Sequence, residues 1–353
     1  MSELRHERPG VYSTCDASAV LAAGQAPKVV GVAAQALRGT VGEVVLLTGY
    51  AAGVAAFGED TKTGMSTLLK LLFWNGASTV AAVRVAETGT KEDYQAAFAA
   101  LSGESVQVQL CDSGDLAIQQ ALKTAVEEDS AARKERIAVV GSSEETVSQL
   151  VNRAAGLNSE RVVLVGPDAL DEDGKPLSGV FAAAAVAGVI ASSRDPALPL
   201  NGAPVKGLGG LSQEYGDNDV DLLVRGGVTP LESVAGVISP IRGITTRTST
   251  NGTADVTWRE LTTVQIVDDV VPSLRRTLRN KFARAKNTAQ SRSAIRSQVI
   301  VELEKKLAAQ IIDSYGGVTV QADPADPTVC LVDFSFGVAH GLNQIYLNVH
   351  ITV

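Results

Sequence analysis

The residues best placed for phosphate chemistry form a short turn, Val140-Gly141-Ser142-Ser143, between a predicted buried strand and a predicted helix. A backbone cradle for a pyrophosphate needs several residues without a Cβ, as in G-x-G-x-x-G or a P-loop. This turn contains one glycine, and neither motif occurs elsewhere in the 353 residues. We therefore predict no nucleotide site and no cofactor.

Histidine and serine chemistry has no local motif either. The three histidines, His6, His340 and His350, have no metal-ligand spacing. No G-x-S-x-G elbow marks a nucleophilic serine. The chain contains the residue types of a Ser-His-Asp triad, so counting residues does not exclude one, but nothing in their spacing favours it. We predict no catalytic residue.

An acidic turn at Asp171, Asp173 and Gly174 resembles part of a calcium-binding loop. In that register, an oxygen ligand is required at position 169 and a glutamate at position 180. These positions hold Ala169 and Val180. The sequence therefore predicts a solvated acidic turn and no metal site.

The charge distribution sets the C-terminal third apart. The chain carries a net charge of -8, yet Val270–Val301 has eight basic residues and no acidic one. This stretch could bind nucleic acid, dock on an acidic protein surface, or form a solvated helix face. Because the whole chain is acidic and Phe282 is the stretch's one aromatic residue, we favour docking on protein and expect no direct nucleic-acid contact. The basic residues predicted to dock are Arg275, Arg276, Arg279, Lys281, Arg284 and Lys286.

The last ten residues alternate between apolar and polar side chains. The apolar positions are Ile345, Leu347, Val349, Ile351 and Val353. Period-two patterning predicts a β-strand with one apolar face. A strand of this kind with no charged residue is prone to aggregate unless it is paired. It either joins the chain's own sheet or is donated to the sheet of a neighbouring subunit.

Upstream of these features, strands alternate with helices from residue 28 to residue 192. The predicted strands are Lys28–Ala34, Glu43–Leu47, Thr79–Val85, Val106–Cys111, Arg136–Val140 and Arg161–Val165. The predicted helices are Met65–Trp74, Lys91–Leu101, Asp115–Glu128, a helix capped by Ser143 that runs through Ala155, and Gly179–Ser192. Such alternation predicts βαβ units with right-handed crossovers and a largely parallel sheet.

The pattern lapses from Ser193 to Pro230, a stretch rich in Gly, Pro, Asp and Asn. A loop of this length is either functional or contains short elements that the pattern does not reveal. Further predicted elements are β-like pieces at Val234–Ile238, Ile241–Arg247 and Trp258–Val267, a long helical region from Asp268-Asp269 to Gly316-Gly317 with a break near Asn287, and a strand at Thr328–Phe336.

Length and composition predict a globular protein with two or three domains. The charged start predicts no signal peptide, and the longest apolar run, Val180–Ala191, is too short to span a bilayer. We therefore expect no membrane association and folding in the cytoplasm. Three widely spaced cysteines predict reduced structural thiols: Cys15, Cys111 and Cys330.

Taken in order, several short motifs resemble the contractile tail sheath family of phages and related bacteriocins, in its compact form. They are Pro9-Gly10-Val11-Tyr12, Leu157–Val165, Pro240–Thr246, Trp258–Leu261 leading into Val267-Asp268-Asp269, and Val349–Val353. The resemblance spans most of the chain and is strongest near its two ends.

This resemblance implies an α/β body with a largely parallel sheet plus a C-terminal α+β domain, with extended N- and C-terminal arms. The implied divisions are an N-terminal arm at 1–25, an outer body at 26–245, a tube-facing domain at 246–336 and a C-terminal arm strand at 337–353. The arms, including Val11 and Tyr12, would enter neighbouring subunits and form a shared β-sheet. The basic helix would face the tube.

The implied function is that of a structural subunit without catalytic activity. Many copies would form a helical sleeve around a tail tube protein, contacting baseplate and tail terminator proteins. The sleeve would assemble in the bacterial host and become part of a virion tail or an extracellular tail-like particle. The alternatives are an α/β enzyme with its site in the 193–230 loop and a nucleic-acid-binding protein. The titratable residues available to that enzyme site are Arg194, Asp195, Lys206, Glu214 and Asp217.

Overall fold

The computed structural model describes residues 28–59, 64–142 and 144–351. The strands are β1 Val29–Ala34, β2 Val44–Leu47, β3 Thr79–Arg84, β4 Val108–Cys111, β5 Ile137–Gly141, β6 Val162–Gly166, β7 Ala169–Leu170, β8 Pro176–Leu177, β9 Gly210–Leu211, β10 Val228–Val234, β11 Val237–Pro240, β12 Ser249–Thr250, β13 Thr253–Ala254, β14 Ile312–Ala322 and β15 Cys330–Val338. The helices are α1 Tyr50–Phe57, α2 Met65–Trp74, α3 Lys91–Ser102, α4 Leu116–Ala131, α5 Val147–Leu157, α6 Gly179–Ser192, α7 Asp217–Arg225, α8 Leu261–Phe282 and α9 Ala289–Ala308.

One sheet organises the first two thirds of the described chain. Its strand order is β11-β10-β6-β5-β4-β1-β3-β2. The six inner strands run parallel, and the two edge strands are antiparallel to their neighbours. The inner strands are nearly continuous runs of buried Val, Ala, Leu and Ile, as expected for a sheet covered on both faces. The predicted largely parallel sheet is confirmed.

Helices cover both faces of this sheet. The apolar side chains of α1, α2 and α6 pack on one face, and those of α3, α4 and α5 pack on the other. The small residues of α6 allow it to approach the strands closely. A Cβ added to Gly141 of β5 would lie 2.1 Å from the backbone of Gly179, the first residue of α6. The position therefore requires glycine.

The structure corrects one prediction in this region and decides between two alternatives. The helix expected after Ser143 begins at Val147, and Thr146 caps it in a capping box with Gln149; Ser143 itself lies outside the described residues. The 193–230 stretch contains β9, α7 and the start of β10, which agrees with the alternative that it holds short elements not revealed by the pattern.

Other predicted elements between residues 231 and 267 are wrong. The piece predicted as a strand at Val234–Ile238 spans the β10–β11 turn, where Ala235 and Gly236 have φ of 50° and 80°. Ile241–Arg247 forms no strand and contributes one isolated bridge, from Ile244 to Glu260. The piece predicted as a strand at Trp258–Val267 is largely helical, because α8 begins at Leu261.

The C-terminal third contains α8 and α9 packed against the antiparallel pair β14–β15, around their own apolar core. The predicted break near Asn287 falls between the two helices. The helical region ends at Ala308, so the predicted stop at Gly316-Gly317 is wrong: both glycines lie within β14, beside a register shift in its pairing. The predicted strand at 328–336 corresponds to β15.

Candidate interaction surfaces

The six predicted docking residues do not share one environment. Arg275 is half-buried and forms an ion pair with Glu135 of the α4–β5 connection at 2.8 Å. Lys281 donates a hydrogen bond to Gln298 of α9 at 2.6 Å. The four others are exposed and form no ion pair with any residue in the described ranges: Arg276, Arg279, Arg284 and Lys286.

The prediction that all six lie on one helix is wrong. Helix α8 ends at Phe282, so Arg284 and Lys286 lie in the connection to α9. Since the chain turns here, the exposed basic groups extend from the last turns of α8 onto that connection. We call Arg276, Arg279, Arg284 and Lys286 the basic patch.

The predicted terminal strand does not form within the described part of the chain. Residues 339–351 have no secondary structure. Ile345, Leu347, Val349 and Ile351 are 72–85% exposed, as is Tyr346 on the opposite side of the alternation. The apolar residues thus have no partner surface among the residues that the structure describes. Val353, Val11 and Tyr12 lie outside the described residues.

Within the described chain, the β14–β15 pair has unpaired edges that could accept a strand such as the terminal segment. It is a two-stranded sheet, and neither outer edge pairs with another strand in the described ranges. One face rests on α8 and α9 through Ile312, Val318 and Phe336. Its long strands therefore present free backbone donors and acceptors that a further strand could pair with.

A charged groove separates the amino ends of β1, β4 and β5 from α8. It has a volume of about 790 Å³, and Lys28, Gln107, Arg136, Asp268 and Lys306 contribute to its lining. Burial lowers the pKa of Lys28 to about 8, against the opposing effect of nearby aspartates. Burial also raises the pKa of Asp268 to about 6, because it outweighs the ion pair with Arg161.

Ion pairs hold several of the charged side chains that line this groove. Arg161 lies 2.5 Å from Asp268, and Lys306 lies 2.6 Å from Asp269. Arg136 pairs with Asp129 at 3.0 Å. The first two pairs and Arg275–Glu135 tie α8 to the body or to α9, whereas the Arg136–Asp129 pair lies within the body. The groove is therefore a charged junction that holds structural elements together.

The residues considered for an enzyme site have separate local environments. Asp195 accepts a hydrogen bond from the backbone of Ala197, Lys206 is held through its backbone by Asn75, the C-cap of α2, and Asp217 begins α7. None of the five candidate residues lines the charged groove.

Metal binding and membrane insertion were considered for the described residues. Within residues 28–59, 64–142 and 144–351, no cluster of His, Cys, Asp and Glu is suited to hold a metal ion. His340 and His350 are exposed. No helix in the described ranges is long and apolar enough to cross a membrane.

One contact was not predicted from the sequence. Asn201 donates a hydrogen bond from its Nδ2 to Oδ1 of Asn343 at 2.8 Å. A Cβ added to Gly341 would lie 3.0 Å from the ring of Pro199. The base of the C-terminal segment thus rests on the loop that follows α6. The hydrogen bond joins residues that are 142 positions apart, and no local sequence pattern predicts such a contact.

Comparison with known families decides the identity of the chain. The model of the phage tail sheath protein central domain matches residues 87–246, and the model of the phage tail sheath C-terminal domain matches residues 253–352. The chain belongs to the phage tail sheath family. The second match includes α8, α9, the β14–β15 pair and almost all of the exposed terminal segment.

This chain is similar to individual sheath proteins, but the matched fraction of each protein differs. The tail sheath protein of Bacillus phage SP01 is 30% identical over 226 residues, which are 62% of this chain and 38% of that relative. The chain therefore matches well under half of that protein's length. A sheath tail protein from Listeria innocua has the same fold, with a TM-score of 0.74, 13% identity and coverage of 90% of this chain and 94% of the other.

The sheath fold also extends to tail-like particles. The contracted helical sheath of the anti-feeding prophage matches with a TM-score of 0.72 at 15% identity, covering 98% of this chain and 99% of the other. A contracted sheath complex of an extracellular contractile injection system, PVC, matches with a TM-score of 0.71 at 15% identity, covering 99% of each chain. At these identities, the likeness establishes the fold.

Proposed function

We propose that this protein is the structural subunit of a contractile sheath. Many copies would polymerise into a helical sleeve around a tail tube, and contraction of the sleeve would drive the tube through a target envelope. The observation that carries the proposal is the combination of an exposed, alternating apolar segment at 344–351 with a two-stranded sheet that has two open edges. The sheet offers open edges to pair with, and the segment offers an unpaired strand with one apolar face.

The linking step is strand addition. The terminal segment of one subunit would extend the β14–β15 pair of a neighbour, with Ile345, Leu347 and Val349 covered by the neighbour's apolar groups. N-terminal residues that include Val11 and Tyr12 would add a second strand. The arms would keep subunits tethered while their bodies slide and rotate.

The strength of one link suits reversible assembly. Four to eight backbone hydrogen bonds contribute about 1 kcal/mol each, and each buried apolar side chain adds about 1.5–3 kcal/mol. Ordering the segment costs about 1–2 kcal/mol per residue. These contributions are of similar size, so one link is weak. Repetition through a lattice makes the whole sleeve stable.

The basic patch is proposed to face the tube. Its cations are exposed and lie on the C-terminal unit, and exposed charge contacts weaken with salt. Arg275 and Lys281, which have partners inside the chain, would support this surface from behind. Contacts with baseplate and tail terminator proteins would complete the particle, which would assemble in the host cytoplasm and act in a virion tail or an extracellular particle.

Proteins with the same fold support the proposal. They include contracted sheaths of the anti-feeding prophage and of an extracellular contractile injection system. We also propose divisions at 1–25, 26–245, 246–336 and 337–353, although residues 337 and 338 still belong to β15. No observation favours the enzyme with a site at 193–230.

The test is polymerisation of the full chain compared with a variant that lacks residues 344–353. This deletion leaves β15 and the contact at Asn343 intact. We expect negative-stain electron microscopy to reveal tubes or rings for the full chain, and monomers with an unchanged circular dichroism spectrum for the deletion. If both proteins remained monomeric, or if both formed the same tubes, the proposed mechanism would be wrong.

A further inference from the structure

The first five residues of the C-terminal segment contact the rest of the chain, although His340, Leu342 and Asn343 are themselves exposed. The backbone N–H of Ala339 donates to the carbonyl of Ile311 at 3.4 Å. Gly341 then rests against the ring of Pro199, and Asn343 accepts the hydrogen bond from Asn201. From Ile345 onward, the apolar side chains are at least 72% exposed. Asn343 thus marks the point where the segment leaves the molecule.

The surface that holds the segment is itself firmly fixed. Leu200 is buried in the core of the body and lies against Gly243. The backbone N–H of Gly202 donates to the carbonyl of Pro240 at 2.9 Å. Ala197 packs against the separate core of α8, α9 and β14–β15. The loop therefore touches both cores, while Pro199 and Asn201, on either side of Leu200, contact the C-terminal segment.

We propose that the loop at 197–203 is an anchor that sets the position and direction from which residues 344–353 reach a neighbouring subunit. This inference rests on the proposed function, and it assigns positioning residues to it: Pro199 and Asn201 in the loop, and Gly341 and Asn343 in the segment. A Cβ at position 341 would lie 3.0–3.1 Å from two ring atoms of Pro199, so any side chain there would push the segment and the ring apart.

The anchor shortens the tether, which is the unrestrained part of the C-terminal segment that precedes the docking strand. Without it, the chain would be unrestrained from His340 onward, and the exposed strand would search a larger volume. A shorter tether raises the effective concentration of the strand at its docking site. The eight residues 344–351 span about 26 Å when extended, at about 3.3 Å per residue. The acceptor edge must therefore begin well within that distance of Asn343, because residues that bridge the gap cannot also pair with the edge.

A double-mutant cycle in the full chain tests the anchor. The variants are Asn201→Ala, Asn343→Ala and the combination of both, with Asn218→Ala on exposed helix α7 as the matched control. The readout is the critical concentration for polymerisation, measured by sedimentation. We expect each single substitution to raise it by about two- to tenfold, as for loss of one hydrogen bond. The double variant should raise it no further, because both remove the same contact.

A second pair of variants probes the Pro199 contact. Gly341→Val forces the segment away from Pro199, whereas His340→Val changes an exposed neighbour that makes no hydrogen bond within the described ranges. We expect the first to raise the critical concentration and the second to leave it unchanged. Melting temperatures of all variants at low concentration should equal that of the unmodified chain, because these side chains lie at the surface.

The outcomes separate this inference from the proposed function. If the deletion of 344–353 abolishes polymerisation while Asn201→Ala has no effect, the sheath function stands and the anchor is wrong. Multiplying effects in the double variant would also overturn the anchor, since the two asparagines would then act on different contacts. If the unmodified chain does not polymerise, the proposed function fails first.

Discussion

The guanidinium of Arg161 lies 2.5 Å from the carboxylate of Asp268, and this pair joins the start of β6 to the first half of α8. One carboxylate oxygen of Asp268 is buried without a hydrogen-bond partner among the described residues. Glu135 and Lys28 are the other charged groups that act on it. The body and the C-terminal helices thus meet at a buried charge whose solvation is incomplete.

The first prediction concerns pH. The folded-state pKa of Asp268 is raised to about 6, above the value of about 3.9 expected in the unfolded chain. Between these values, the folded state binds more protons, so Asp268 lowers stability as pH rises from about 4 to about 6. The upper limit of this loss is about 3 kcal/mol. Denaturant unfolding of the unmodified chain and of Asp268→Asn across this range measures it.

The substitution isolates the residue because asparagine does not titrate. We expect the difference in unfolding free energy between the two proteins to change with pH in that window and to be flat above pH 7. Equal pH slopes for both proteins would show that Asp268 ionises normally.

The second prediction concerns the close approach of β5 and α6. Gly141→Ala places a Cβ 2.1 Å from the backbone of Gly179, so either the helix or the strand must move. We expect a loss of about 3 kcal/mol or more in the free energy of unfolding. Gly156→Ala is the control, because its Cβ meets nothing within 4 Å on helix α5. It should gain about 0.5–1 kcal/mol. Similar unfolding midpoints for both variants would contradict the predicted clash.

The third prediction concerns the face of the terminal segment. Leu347→Asp and Asn348→Asp add the same charge one residue apart, at fully described and exposed positions. If the segment docks as a strand, position 347 faces the neighbour's apolar groups and position 348 faces away. We expect the first to abolish polymerisation and the second to permit it, with unchanged monomer melting temperatures. Equal effects would indicate that no face-specific docking occurs.

The fourth prediction separates two arginines of α8. Arg275→Ala should lower the free energy of unfolding by about 0.5–1 kcal/mol, because it removes a partly exposed ion pair with Glu135. Arg279→Ala should leave stability unchanged and weaken co-sedimentation with the tail tube protein, more at low salt than at high salt. Equal tube binding by Arg279→Ala and the unmodified chain at low salt would exclude this residue from the contact.

Local patterns in the sequence were sufficient to predict most strands and helices of the body. The buried runs that form β1, β3, β5 and β6 alternate with capped helices, and this order alone predicts a largely parallel sheet. The alternation at 345–351 and the basic stretch in α8 and its connection were also visible without coordinates. These features are encoded within short windows, where side-chain periodicity and backbone preference act together.

Only the tertiary structure decided how these pieces meet. Helix α8 begins at Leu261 although Thr262, Thr263 and Val264 favour strand, because burial of Leu261 and Val264 against the body outweighs their intrinsic preference. Arg275 is held by a residue 140 positions away, and Asn343 by one 142 positions away. Such pairings depend on how the chain returns upon itself, and no local period carries that information.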